Sequence, residues 1–364
     1  AYACFRSRWA ELPILTELSV PIGLRTALMR VRYIVEHGVA VYLLEVASGA
    51  ASRFAAPYPK GDAATRLLPA VLLARGALLL LEHLRHLRTT PPPDVVVSND
   101  WVASLVAPYA RHTSWAGSSS AAIGALSSST LFLHLVHNLE SGYDGRLAMP
   151  TGGPPAALAA LHQLPYHLMH ERRAASGSPA VPDCLQLTRA ALLCCEAWGT
   201  VSTSYREELL ASSTYAPLLA PFGDASVACD SGLPLTRRRL ELSEHGDHAS
   251  AKAELQRACF GEAGVQARTP LLIFLGRIAY QKGVHLLLDS FPALMRATDG
   301  KVQLLVCGCA DTSDSYAERC AAQMGELRRL YPRHFWAAPR EYFDRGLLAS
   351  LAADFGVMPS LYEP

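Results

Sequence analysis

Short, nearly continuous apolar runs alternate along the chain with longer stretches whose apolar positions recur at helical spacing. The short runs in the first half are VAVYLLEV (39–46), DVVVS (94–98), LFLHLV (131–136) and GTVS (199–202). Helical spacing covers 66–88, CLQLTRAALLCCEAW (184–198) and 204–211. The second half repeats the alternation. PLLIFLG (270–276) and VQLLVCG (302–308) read as strands, GVHLLLDSFPALMRA (283–297) and SYAERCAAQMGELRRLY (315–331) as helices, and FGVMPS (355–360) closes the series. Such strands, separated by helices, predict parallel sheets covered on both faces, arranged as two doubly wound α/β units. Periodicity lapses across SSTYAPLLAPFGD (212–224), which divides the chain into 1–213 and 214–364. The Ser- and Gly-rich stretch 114–130 and the stretch ERRAASGSPAVPD (171–183) read as flexible surface insertions.

Composition narrows this picture. Of 364 residues, 50% are apolar and 18% charged, a globular balance. The net charge of +1 leaves no broad electrostatic footprint for nucleic acid. Nine cysteines, from Cys4 to Cys320, are irregularly spaced and read as reduced thiols rather than a disulfide framework. Cys307-Gly308-Cys309 has no second pair at a zinc spacing, so no metal site is expected. The opening residues form no signal peptide, and the missing initial Met suggests a start that is absent or processed. The most apolar stretch, LLPAVLLARGALLLLEHL (67–84), carries Arg75 at its middle. It reads as a core helix with one exposed side, not a membrane span.

Ligands of open α/β sheets bind beyond the carboxyl ends of the strands. The residues there are Asn99, Asp100 and Trp101; His137, Asn138 and Leu139; Ser202 and Thr203; Arg277, Gln281, Lys282 and Gly283; Asp311; and Ser360, Tyr362 and Glu363. Polar groups gather at one edge in both halves, the expected layout of a ligand cleft. Arg277 and Lys282 flank a helix that starts at Gly283. Free N–H groups, a positive dipole end and two cations suit a diphosphate, and would stabilise it as a leaving group.

At these residues the chain resembles a known family. FLGRIAYQKGVHLLLDSF resembles the R-x-x-x-Q-K-G signature of the glycogen and starch synthases, glycosyltransferases of the GT-B fold. In family order, DVVVSNDWVASLVAPY, FLHLVHNLESGYDGRL, TVSTSYREEL and DFGVMPSLYEP resemble further family segments. The resemblance runs from about residue 33 to the end. It implies two Rossmann-like domains facing across a cleft, both incomplete. It implies that Arg277 and Lys282 hold the donor diphosphate, with Gln281 and Gly283 in the same signature. His137 would stand near the transferred glucose with Asn138 beside it, and Asp100 and Trp101 would line the sugar side. Glu363 would contact the donor glucose, with Ser360 under the donor.

The implied reaction moves glucose from ADP-glucose or UDP-glucose to the non-reducing end of an α-1,4-glucan, with retention. No cofactor or metal is implied, since no D-x-D carboxylate pair precedes the site. The partners are a nucleotide sugar and a glucan, with a larger protein assembly also open. Starch synthases of this type are plastidial and glycogen synthases cytosolic, so the compartment stays open. The sequence also departs from the family. SVPIGL (19–24) lacks the family's K-x-G-G-L loop, Asn99 replaces a histidine, and Ser231-Gly232-Leu233 stands for Asn-Gly-Ile. The second glutamate of E-x7-E would lie beyond Glu363-Pro364. These departures carry the alternative reading, an inactive synthase-like module serving as scaffold or glucan-binding subunit, and the expectation that this piece alone does not turn over.

Overall fold

The computed structural model describes residues 11–36, 38–47, 61–87, 91–140, 143–148, 156–171, 184–212, 214–230, 232, 239–240 and 242–363. Pro364, Cys4, Leu233 and nearly all of the 171–183 insertion fall outside the described residues. The chain forms two compact units that divide between Ser231 and Gly232. That is later than the lapse in periodicity at 212–224. The residues in between belong to unit 1: Tyr215 is buried there, and a strand at Ser226–Ala228 joins its sheet.

Unit 1 opens with an antiparallel meander, β1 (Ile14–Ile22), β2 (Arg25–Glu36) and β3 (Val39–Val46). Only β3 stood out as a strand in the sequence, and SVPIGL is a tight β1–β2 hairpin in which Ile22 pairs with Arg25. Four parallel strands form the main sheet: β4 (Val95–Asn99), β5 (Leu131–Val136), β9 (Ala197–Thr200) and β10 (Ser226–Ala228), in the order β10-β9-β5-β4. Between β5 and β9 lie β6 (Arg146–Ala148), β7 (His170–Glu171) and β8 (Cys184–Gln186), a small antiparallel sheet.

Two readings are corrected here. The segment 184–198 is not one helix. Cys184–Gln186 is strand β8, a short helix runs Leu187–Leu192, and Ala197 starts β9. Tertiary pairing with β6 and β7 overrides the apolar spacing. The stretch 114–130 is not a loose insertion. A 3-10 turn at Thr113–Ser119 leads into a helix at Ser120–Ser129 that buries Ile123 and Leu126, and the Trp115 indole donates to the Tyr109 carbonyl at 3.0 Å.

The helix Ala63–His86 is the hub of unit 1: one face is buried, and Thr65, Pro69, Leu73, Ala77, Leu81 and Arg85 form a partly exposed stripe on the other. Leu67, Ala70, Val71, Ala74, Arg75 and Leu78 are all 0% exposed. It is the one helix among the described residues long and apolar enough to cross a membrane, and 61% of its apolar window is buried within the fold. Arg75, the charge that spoke against a span, is itself interior. It donates to the Pro21 carbonyl at 2.6 Å and the His162 carbonyl at 2.9 Å, and its guanidinium lies 4.5 Å from the Tyr109 ring centroid. Carbonyl and ring partners replace a carboxylate, as a buried cation requires.

Unit 2 is the doubly wound unit the alternation predicts. Its sheet holds β11 (Leu271–Leu275), β12 (Gln303–Cys307), β13 (Phe335–Ala337) and β14 (Phe355–Gly356), all parallel, in the order β13-β12-β11-β14. Every β12 residue is buried. Leu304 and Val306 face one core with the helices Val284–Ala297 and Ser315–Leu330, while Leu305 and Cys307 face another with His248–Phe260 and Gly346–Ala352.

Candidate functional site

In a parallel sheet the carboxyl ends of adjacent strands lie side by side, so residues distant in sequence meet there. In unit 1 Asp100 follows β4 and His137 follows β5. Asp100 has φ +56°, a left-handed conformation uncommon outside glycine that Asp tolerates better than most residues. In that conformation its Oδ1 accepts the His137 N–H at 2.9 Å and lies 3.2 Å from the ring Nδ1. The hydrogen bond that the His137 ring donates to Asp100 outweighs partial burial and raises the His137 pKa. Beneath this pair His134 is fully buried against the Ser98 hydroxyl at 2.9 Å, and burial pushes it down to about 4, so it stays neutral at neutral pH.

The loop after His137 is fixed from both sides. The Tyr205 hydroxyl accepts the Leu139 N–H at 2.8 Å, and the Tyr215 hydroxyl lies 3.1 Å from the Leu139 carbonyl and 3.0 Å from Asp144. Asn138 turns its Oδ1 to the Glu140 N–H at 2.7 Å, so this oxygen holds the turn. Trp101 is 1% exposed and packs in the core, where a Cβ on Gly145 would come within 2.6 Å of its own Cβ. That contact accounts for the glycine in the H-N-L-x-x-x-x-D-G stretch. Ser202 caps the helix Thr203–Ala211 through the Tyr205 N–H at 3.1 Å. Sequence reasoning overlooked Tyr205, Tyr215 and Asp144. Tyr205 lies inside TVSTSYREEL, but nothing in a motif says where a hydroxyl will reach.

In unit 2 β14 lies beside β11, which sets the segment 359–363 against the loop 277–283. The Leu361 N–H donates to the Gln281 carbonyl at 2.8 Å and the Gln281 amide to the Tyr362 carbonyl at 3.1 Å. Gly283 has φ +59°, and a Cβ there would stand 2.0 Å from the Pro359 carbonyl oxygen, so only glycine fits. Lys282 pairs with the Glu363 carboxylate, which also accepts from the Ser360 hydroxyl at 2.5 Å. Burial pushes the Glu363 carboxyl up, and Lys282, Ser360 and Arg277 together more than offset it, leaving it below its ordinary value. The structure thus brings together Arg277, Lys282, Ser360 and Glu363, while Gln281 and Gly283 hold the two segments in register.

One detail differs from the sequence reading. The first-turn N–H groups of the helix Val284–Ala297 are not all free: the Tyr316 hydroxyl accepts the His285 N–H at 3.2 Å. A cavity of about 190 Å³ opens nearby at the carboxyl ends of β12 and β13, with Gly308, Trp336, Tyr342 and Arg345 in its wall. Gly308 sits so close to the Arg277 loop that a Cβ would meet the Gly276 oxygen at 2.1 Å. Among the described residues no three His, Cys, Asp or Glu side chains are grouped to hold a metal ion.

Comparison with known proteins adds independent findings. Residues 1–220 match the family described as the starch synthase catalytic domain, and residues 259–364 match glycosyl transferases group 1. The chain is 26% identical over 326 residues to a glycogen synthase of Anaeromyxobacter sp. (strain Fw109-5), covering 84% of this chain and 58% of the relative. It is 30% identical over 230 residues to an alpha-maltose-1-phosphate synthase of Mycolicibacterium smegmatis, covering 63% of this chain and 53% of the relative. The chain thus spans little more than half the length of these curated relatives. In fold it resembles the catalytic domain of starch synthase IV from Arabidopsis thaliana, solved bound to ADP and acarbose. The TM-score is 0.72 at 18% identity, covering 97% of this chain and 68% of that one.

Proposed function

The chain belongs to the starch synthase catalytic-domain family of GT-B glycosyltransferases, and on that premise we propose that its protein transfers glucose from ADP-glucose or UDP-glucose to the non-reducing 4-hydroxyl of an α-1,4-glucan, with retention. The observation that carries the proposal is the cluster of Arg277, Lys282, Ser360 and Glu363 in unit 2, two cations and a carboxylate held at one strand edge.

Arg277 and Lys282 are assigned to the donor diphosphate. The bond from the anomeric carbon to the phosphate oxygen breaks with its electron pair moving to the oxygen, and fixed positive charge stabilises that developing charge. Lys282 turns from Glu363 to the phosphate, which frees the carboxylate to accept hydroxyls of the glucose. The nucleoside is assigned to the cavity beside Gly308, next to the Arg277 loop. The glucan hydroxyl attacks the same face that the diphosphate leaves, and its proton passes to the departing phosphate. His137, held by Asp100, is assigned to the transferred glucose as a hydrogen-bond donor. The reading asks for no cofactor, because the two side chains supply the charge.

The test is nucleoside diphosphate release by the full-length protein from each donor, with and without glycogen. Primer-dependent release that disappears in Arg277→Ala and Lys282→Ala is the expected result and names the donor. No release from either donor in a folded, complete protein would replace this reading with the inactive module.

A further inference from the structure

Unit 1 holds a cavity of about 310 Å³ that no step of the proposed reaction uses. Its wall is formed by His170, Gln186, Arg189, Thr214, Tyr215, Pro217 and Leu218. That volume is at the small end of ligand pockets, which run from about 300 Å³ upward, and suits a molecule of monosaccharide size.

Beside the His170 ring, its polar side chains offer donors and no carboxylate. Gln186 is 2% exposed, and its amide oxygen is committed to the Arg189 N–H at 3.2 Å, which leaves the NH₂ group as its offering. Arg189 Nη1 is held by the carbonyls of His167 at 2.6 Å and Leu168 at 3.2 Å, which fixes the guanidinium in place. Among the described residues no carboxylate pairs with Arg189, and nothing engages its remaining N–H groups or the Thr214 hydroxyl. The wall contains no Asp or Glu. A guanidinium without a counter-ion, a buried amide NH₂ and a hydroxyl all donate. Their natural complement is an acceptor-rich anion, and an Arg fork suits the geometry of phosphate oxygens. Tyr215, Pro217 and Leu218 offer apolar surface for the rest of such a molecule.

We propose that this cavity binds a small phosphate-bearing molecule, with Arg189, Gln186 and Thr214 on the phosphate. The shared chemistry is the phosphate, which a hexose monophosphate or free inorganic phosphate supplies. Tyr215 lines the cavity with its ring while its hydroxyl holds the His137 loop through the Leu139 carbonyl and Asp144. Occupancy is therefore felt at His137.

The test uses the full-length protein carrying Arg277→Ala and Lys282→Ala, so that the cation pair of unit 2 does not compete for phosphate. Calorimetric titration with glucose 1-phosphate, inorganic phosphate and glucose separates the sources. Saturable binding of glucose 1-phosphate is expected, weakened by about tenfold or more in Gln186→Glu. That variant keeps the oxygen that caps the Arg189 N–H and sets a negative charge in the cavity. Thr214→Val, which removes only the hydroxyl, should weaken binding less, and it serves as the readout if Gln186→Glu fails to fold. Equal affinity for inorganic phosphate would support the site and assign it to the free ion. Binding of glucose as tight as glucose 1-phosphate would overturn the proposal, as would no binding, or binding that neither variant weakens. The outcome does not depend on synthase activity, so its failure and that of the proposed function are separable.

Discussion

The two parallel sheets of this protein are built from similar runs and buried differently. In unit 2 β12 is buried throughout, with one core on each face. In unit 1 one face carries Phe132 and Val96 into the core, while Val95, Val97 and Leu131 on the other are 49%, 46% and 56% exposed. An unbroken apolar strand states that both faces are suited to burial, not that both are buried. The candidate residues differ in the same sense. Those of unit 2 are cross-tied by an ion pair and backbone bonds, and those of unit 1 are a half-exposed His–Asp pair on a loop anchored by tyrosines.

The comparison can be broken most directly in the sheets. Leu304→Ala should destabilise unit 2 by about 2–5 kcal/mol in urea unfolding, because a fully buried side chain leaves a cavity. Val97→Ala should cost well under about 1 kcal/mol. Equal costs would mean that the exposed face of the first sheet is covered in solution. The next test compares the clusters. Arg277→Ala or Lys282→Ala should reduce glucosyl transfer about 10²–10³-fold. Asp100→Asn, which weakens one half-exposed pair, should cost about tenfold or less. A larger loss for Asp100→Asn would reverse the ranking of the two clusters.

A finer contrast lies between two left-handed positions, Gly283 and Asp100. Gly283→Ala should cost at least about 1–2 kcal/mol, since φ is +59° and the new Cβ meets the Pro359 oxygen. Asp100→Gly removes backbone strain while losing the contact to His137, so unfolding should shift little although the His137 resonance moves. The smallest effect is electrostatic. Asp100 raises the His137 pKa above its ordinary 6.5, so the stabilisation is complete below that value and is lost as pH rises through the folded pKa. NMR titration should show the raised value, and Asp100→Asn should lower it. An unchanged titration would mean that the pair does not form.

Much of the site was legible because its residues follow strands. LLIFL and LFLHLV declare themselves by apolarity, and what comes next must lie at a strand edge, so His137, Arg277 and Lys282 could be picked out unaided. The family resemblance added the roles. Less visible were residues whose part depends on reach. Tyr205, Tyr215 and Tyr316 act through hydroxyls that meet backbone groups far away in sequence. The small sheet of β6, β7 and β8 was hidden too, because Cys184–Gln186 carries a helical apolar spacing and becomes a strand only through its neighbours.

By itself, then, the sequence determined the alternation of strands and helices, the two-unit plan and the cations at the strand edge, since these follow from local periodicity and from what succeeds each strand. Tertiary structure decided the rest. It made Arg75, a charge in the middle of an apolar run, an interior cation held by carbonyls and a ring, and gathered three donors and no carboxylate around one small cavity. The physical reason is common to both. A polar side chain's role is set by which partners its atoms meet at hydrogen-bond distance, and those partners come from segments that only the folded chain brings together.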